Sequence, residues 1–226
     1  MKIKLFGFGV VACLMAGPSV FADLIKEVAV PNAYTVNINA SAVGGYSGSV
    51  LAGFYRIQFG NSSGPTLDTF CIDVYDYSPT DGFHTYAKSA LKDAPLSKNL
   101  NVAMGENAAN AIKALWAMYY DDAKDKPLDA AALQVAIWEA MLDTGSGYNL
   151  GSGNFKASDN DGVTTRAAQL LGGIAEYSGP LPDLFAWVNQ DEVHYYQDYI
   201  GVPDGGLTVI LLGLAFGGLS IVRRKQ

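Results

Sequence analysis

Apolar and polar positions alternate through the first half of the chain and switch to helical spacing in the middle. Ala33 to Ala42 carries Tyr-Thr-Val-Asn-Ile-Asn-Ala, the period-two pattern of a half-buried strand. A Gly-Gly-Tyr-Ser-Gly turn leads into a second strand over Ser49 to Phe59, and Asn61-Ser62-Ser63-Gly64-Pro65 breaks it. Thr66 to Tyr77 is the third expected strand. Ser78-Pro79-Thr80-Asp81-Gly82 is the next turn, and Phe83 to Leu91 the fourth strand. Glu106 to Tyr120 then places Ala109, Ile112, Leu115, Trp116 and Tyr119 on one helical stripe. Asp129 is an N-cap for a second helix reaching Leu142. After a loop over Gly145 to Gly153, Val163 to Tyr177 reads as a third helix. Asp183 to Val188 and Val193 to Ile200 read as closing strands. This order predicts an α+β fold with segregated layers: an antiparallel β-sandwich or barrel with an inserted helical layer.

Both ends break the pattern. Met-Lys-Ile-Lys, an apolar run from Leu5 to Met15, and small residues up to Ala22 form a signal peptide, with cleavage expected between Ala22 and Asp23. Val10-Val11-Ala12-Cys13 is a lipoprotein-like alternative, but it leaves almost no apolar region before it. At the other end Val202-Pro203-Asp204-Gly205-Gly206 precedes sixteen mostly apolar residues, Leu207 to Val222, and then Arg223-Arg224-Lys225. As a helix the run spans about 24 Å at ~1.5 Å per residue. That suits a thin bilayer, with the arginines snorkelling. A plain single-span anchor with its basic end in the cytoplasm would look the same.

Composition sharpens the picture once the ends are set aside. The chain has 226 residues, half of them hydrophobic, and a net charge of −7. Its mean hydropathy is nonetheless positive, at +0.13. Residues 23–201 number 179, enough for one domain with its own core, and carry 10 basic against 21 acidic side chains. So acidic a body lacks the basic face that nucleic acid requires. Two cysteines cannot staple it, and removal of the leader leaves Cys71 alone.

The C-terminal order of motif, apolar helix and basic cluster resembles the sorting tails of PEP-CTERM-type proteins, in particular the Val-Pro-Asp-Ser-Gly variety, with Gly205 in the serine position. That resemblance implies recognition by an exosortase, a membrane enzyme of Gram-negative bacteria. It also implies membrane attachment through residues 202–226 before processing, and a final place at the cell surface or in a biofilm matrix.

Two residues of the body stand out. From Ala130 to Trp138 the second helix is apolar on every side except at Gln134, which predicts a buried helix and a buried carboxamide. Leaving that amide without partners would cost on the order of 1–3 kcal/mol. Cys71 lies in Phe70-Cys71-Ile72-Asp73-Val74-Tyr75, where period two sets Cys71, Asp73 and Tyr75 on one face and Phe70, Ile72 and Val74 on the other. Taken singly, a cysteine is most often a small buried hydrophobe and a buried glutamine a structural hydrogen bonder. Together, Phe-Cys-Ile-Asp on a strand and Leu-Gln-Val-Ala-Ile-Trp about sixty residues later resemble the thioester domains of bacterial surface proteins. The match is Cys71, Gln134, Ala136 and Trp138; Leu133 stands where that family usually has threonine. The resemblance implies an internal thioester between Cys71 and Gln134 that captures an amine or hydroxyl on a surface protein or polysaccharide, with no cofactor and no metal. Asp73 belongs to the supporting motif, and Tyr75 and His84 are candidates to move protons.

Other patterns compete less well. Asp159-Asn160-Asp161-Gly162 is a surface turn rather than a calcium loop, since Ala157 and Ala168 hold ligand positions. Cys71 with His84 or His194 would make a secreted cysteine hydrolase, without a recognisable nucleophile motif. Tyr195, Tyr196 and Tyr199 could bind sugar or simply pack.

Overall fold

A computed structural model describes residues 22–97, 102–144, 147–191 and 194–203. The expected signal peptide and C-terminal span lie outside these residues. Among the described residues no helix is long and apolar enough to cross a membrane. The described residues form a mixed α+β structure with antiparallel sheets and three α-helices.

The main sheet has six strands: β1 (Asp23–Ala29), β4 (Tyr55–Phe59), β5 (Thr66–Thr69), β6 (His84–Ala90), β10 (Phe185–Asn189) and β11 (Tyr199–Gly201). Their order is β11-β10-β6-β1-β4-β5, and every pairing is antiparallel. A second sheet places β2 (Tyr34–Asn39) between β3 (Ser47–Ala52) and β9 (Lys156–Ser158). A short ribbon joins β7 (Pro95–Ser97) to β8 (Val102–Ala103). The three helices are α1 (Glu106–Ala123), α2 (Pro127–Leu142) and α3 (Val163–Gly172).

The clearest sequence signals survive folding. In β2, Val36 and Ile38 are buried while Thr35, Asn37 and Asn39 face out. In α1 the stripe of Ala109, Ile112, Leu115 and Trp116 enters the core. Helix α2 is buried along its whole length from Ala130 to Leu142, because α1 and α3 flank it and β2 and β3 lie against it.

Elsewhere tertiary context overrules the local pattern. The expected strand over Ser49 to Phe59 is two strands in two sheets: β3 pairs with β2, whereas β4 pairs with β1. Ala52 to Tyr55 are buried without a break, so the chain passes through the core between sheets and the alternation fails there. β1 forms over Asp23–Ala29, ahead of the first strand expected from the sequence. Helix α2 starts two residues before Asp129, with Pro127 in its first turn, where the missing N–H would have no partner anyway. Asp129 instead pairs with Arg166 of α3 at 2.8 Å. The third helix stops at Gly172 and continues as a 3-10 turn over Ile174–Glu176. Of the last expected strand, Val193 to Ile200, only Tyr199 and Ile200 lie in a strand among the described residues, one that runs on to Gly201.

The largest correction concerns Thr66 to Tyr77. β5 ends at Thr69, and residues 70–74 are all buried, so no polar face separates Cys71 and Asp73 from Phe70, Ile72 and Val74. The segment is enclosed on both sides. It also joins the two edges of the main sheet. Cys71 bridges Tyr199 in antiparallel fashion, Ile72 N–H donates to Asp198 O at 2.9 Å, and Ile200 N–H donates to Phe70 O at 3.0 Å. The cysteine therefore sits on the seam where β5 runs on to meet β11.

Candidate functional site

Phe70 anchors the seam from one side. Its ring is fully buried, 4.7 Å from Phe54 and edge-on to Trp116 at 5.9 Å. Helix α2 presses on the other side and brings Gln134 to Cys71. The Gln134 carboxamide is wholly buried, and both of its halves bind the Cys71 main chain. Cys71 N–H donates to Oε1 at 2.9 Å, and Nε2 donates to Cys71 O at 2.8 Å. The side chain thus acts as one more strand partner for a residue whose main chain β5 has stopped pairing. That satisfies the amide whose burial the sequence made a problem.

The Cys71 thiol is also fully enclosed. Sγ donates to Asp73 O at 2.9 Å and accepts from Asp73 N–H at 3.3 Å. Trp138, one turn along α2 from Gln134, is near enough to act on the thiol electrostatically, but among the described residues its indole N–H has no hydrogen-bond partner. Burial pushes the thiol well above its ordinary range, and the nearby Asp73 charge adds to this. The Asp73 N–H and the Trp138 indole pull weakly the other way. The sulfur is a thiol at neutral pH rather than the low-pKa thiolate of cysteine hydrolases.

The remaining expected residues divide. Ala136 is buried in the core beside Gln134, and Trp138 packs near Phe155. Asp73 is buried, and its Oδ1 accepts the Tyr75 and Asp76 N–H groups at 2.7 and 3.2 Å. Burial, then the charges of Asp198 and Asp76, hold its carboxyl well above the usual range. Tyr75 is half-buried two residues on, without a bond to the thiol. His84 is not brought to the thiol at all. Its ring contacts Asp81 at 3.0 Å and Asp191 at 3.7 Å and lies over Tyr196 at 3.8 Å, because β6 carries it to the rim of the sheet. His194 lies near the same Tyr196 ring. Among the described residues neither histidine contacts Cys71, so the hydrolase pair is not assembled. The three tyrosines of the last segment also part ways: Tyr199 is fully buried, Tyr196 stacks on His84, and only Tyr195 is exposed.

Sequence reasoning missed a buried polar group behind the seam. Tyr199 OH donates to Glu27 Oε2 at 2.9 Å, and Asn189 N–H donates to Asp198 Oδ1 at 2.7 Å. Burial raises the Glu27 carboxyl against the opposing bonds from Tyr199 and Ser78. The alternation Ile25-Lys26-Glu27 in β1 could have flagged Glu27 as inward-facing. Among the described residues no cluster of His, Cys, Asp and Glu is placed to hold a metal ion. Asp159 works as a cap for α3. Burial alone would raise its carboxyl, but bonds from Thr164, Val163 and Asp161 outweigh this and hold it at about 2.

A cleft of about 510 Å³ opens beside the pair, lined by its neighbours but not by Cys71 or Gln134. Trp138 and Asp73 both line it, and Asp73 is also hydrogen-bonded to the Cys71 sulfur.

Residues 201–225 match the VPDSG-CTERM motif, a PEP-CTERM-like sorting signal. Of its leading residues, Val202 packs against the core and Pro203 is exposed, while Asp204, Gly205 and Gly206 lie outside the described residues. No curated protein matches the chain. Solved structures similar to it are thioester domains of surface adhesins. The N-terminal thioester domain of a Clostridium perfringens surface protein is 12% identical, covering 80% of this chain and 98% of its own, with a TM-score of 0.41. The N-terminal thioester domain of fibronectin-binding protein SfbI from Streptococcus pyogenes is 13% identical, covering 81% and 94%, with a TM-score of 0.43. Likeness at that level carries no weight for chemistry, which must follow from the site itself.

Proposed function

We propose that this is a surface-sorted, adhesin-like protein whose body, residues 23–201, forms an internal thioester between Cys71 and Gln134 and uses it to capture a nucleophile covalently. Residues 1–22 are then a cleaved leader, and residues 202–226 a tail processed by an exosortase after export through the inner membrane. The observation that carries the reading is the seating of the Gln134 carboxamide on the Cys71 main chain.

That seating suits acyl transfer. In forming the bond, Sγ attacks Gln134 Cδ, the carbon–nitrogen bond breaks, and ammonia leaves with the thiol proton. The Cys71 N–H already donates to Oε1, where negative charge would develop, which is the placement of an oxyanion donor. Holding thiol and amide together supplies the proximity that a sluggish pair needs, and burial keeps the product from hydrolysis. An incoming amine or hydroxyl then displaces the sulfur and stays attached to the Gln134 carbonyl. The event is single-use.

The alternative is the same sorted fold with the pair unbonded, serving as a structural, exopolysaccharide-associated matrix protein. Two satisfied hydrogen bonds on Gln134 are also what a purely structural glutamine shows. Intact mass of the exported protein separates the two. A deficit of one ammonia, absent in Cys71→Ala and in Gln134→Ala and replaced by a methylamine adduct on treatment, supports the thioester. A full mass with a titratable thiol refutes it.

A further inference from the structure

The cleft beside the pair has a composition of its own. Tyr46 and Tyr77 stand on its rim, 47% and 81% exposed, with half-buried Tyr75 between rim and floor. Among the described residues none of these three hydroxyls has a hydrogen-bond partner in the protein. The floor carries the carboxyls of Glu27 and Asp73, Asp76 lies on the wall, and among the described residues no lysine, arginine or histidine lines the space. The rim is held in place. Tyr46 N–H donates to Val74 O at 2.8 Å, fastening the turn before β3 to the seam segment. Gly48 lies under the Tyr46 ring, at φ +149°, where a Cβ would come within 2.6 Å of the hydroxyl oxygen. At about 510 Å³ the cleft falls in the ~300–1,000 Å³ range of small-ligand sites.

We propose that this cleft is a subsite for a neutral carbohydrate, and that the nucleophile it delivers to the thioester is a sugar hydroxyl. The covalent part rests on the thioester reading above; the subsite does not. Among the described residues the cleft has no basic side chain to hold a phosphate, sulfate or uronate. Exposed tyrosine faces can stack on sugar rings, and carboxyl and phenol groups bond to ring hydroxyls. A primary amine fits poorly in either protonation state of the floor. Ionised carboxylates would keep it as an ammonium without a free lone pair, and protonated ones, which burial favours for Glu27 and Asp73, offer no charge to attract it. A hydroxyl bonds to both forms and arrives neutral. In the transfer, the sugar oxygen bonds to Gln134 Cδ and the carbon–sulfur bond breaks with its electron pair going to Sγ. The hydroxyl proton ends on that sulfur, leaving a Gln134-derived ester and the Cys71 thiol.

The test uses the full chain carrying Cys71→Ala, titrated calorimetrically with cellotetraose, maltotetraose and tetra-N-acetylchitotetraose, with cadaverine and N-acetyl-lysine amide as amine probes. At least one tetrasaccharide should bind, neither amine should, and adding Tyr46→Ala and Tyr77→Ala should weaken binding by roughly tenfold. Circular dichroism should show the fold unchanged, since Tyr77 is mostly and Tyr46 about half exposed. The wild-type chain incubated with the binding sugar should gain its mass as a hydroxylamine-labile adduct. Absence of tetrasaccharide binding, binding indifferent to both tyrosines, or an adduct with the amines but not the sugar would overturn the proposal. Sugar binding to the Cys71→Ala chain, with no ammonia deficit in the wild type, would sink the thioester and uphold the subsite.

Discussion

Removing the Gln134 side chain should destabilise the protein far more than removing the Cys71 thiol, and the difference can be isolated from any covalent bond. The carboxamide bonds to the Cys71 main chain, at 2.9 and 2.8 Å, and alanine at position 71 keeps that main chain. The comparison is therefore Cys71→Ala against Cys71→Ala with Gln134→Ala, neither of which can form a thioester. The second substitution orphans one buried N–H and one buried C=O, at about 1–3 kcal/mol each. It also opens a cavity in a helix that is closed on all sides. The sum is roughly 2–6 kcal/mol before relaxation, a large share of the ~5–15 kcal/mol that holds a domain together. Urea unfolding followed by circular dichroism would measure it, with equal m-values showing that the unfolded state is unchanged. A difference below about 1 kcal/mol would mean that water or a shifted seam replaces the carboxamide, and the account of why Gln134 is seated there would be wrong.

Three further outcomes follow from other parts of the molecule. Glu139 is buried on α2, where loss of hydration raises its carboxyl to about 7 despite the Asn149 N–H at 2.6 Å. The folded state thus holds a proton that the unfolded chain releases near 4.5, so stability should fall as pH rises from about 4.5 to about 7. Glu139→Gln should flatten that part of the urea-midpoint profile; an unchanged slope would contradict it. The Asp159 carboxyl is depressed to about 2, so its stabilisation is complete above the usual aspartate value and fades as pH drops toward 2. Asp159→Ala should cost about 1 kcal/mol at neutral pH through loss of the α3 cap, and little difference from wild type should remain in strong acid. Phe70→Ala should cost about 3–5 kcal/mol and, on the thioester proposal, lower the fraction of chains that lose ammonia on intact-mass analysis by loosening the seam. An unaltered fraction would show that Phe70 does not position Cys71.

The sequence by itself determined the features carried by local periodicity and by contiguous motifs. β2 and α1 were legible because their burial repeats with the period of the element, and α2 because it is apolar, and buried, on every side. A glutamine inside such a helix had to find partners. The sorting motif was legible because its three parts are consecutive. What only the tertiary structure decided depends on contacts made from far along the chain. Thr66 to Tyr77 looked like one alternating strand, yet Asp198 and Ile200 capture residues 70–72 on one side and α2 encloses them on the other, so both parities are buried. The same enclosure places the Gln134 amide on the Cys71 main chain, across 63 residues of sequence. It sends His84, which seemed close enough to serve the thiol, to the far rim with Asp81 and Asp191. Period two tells which way a side chain leaves its strand; it says nothing about what waits on the other side.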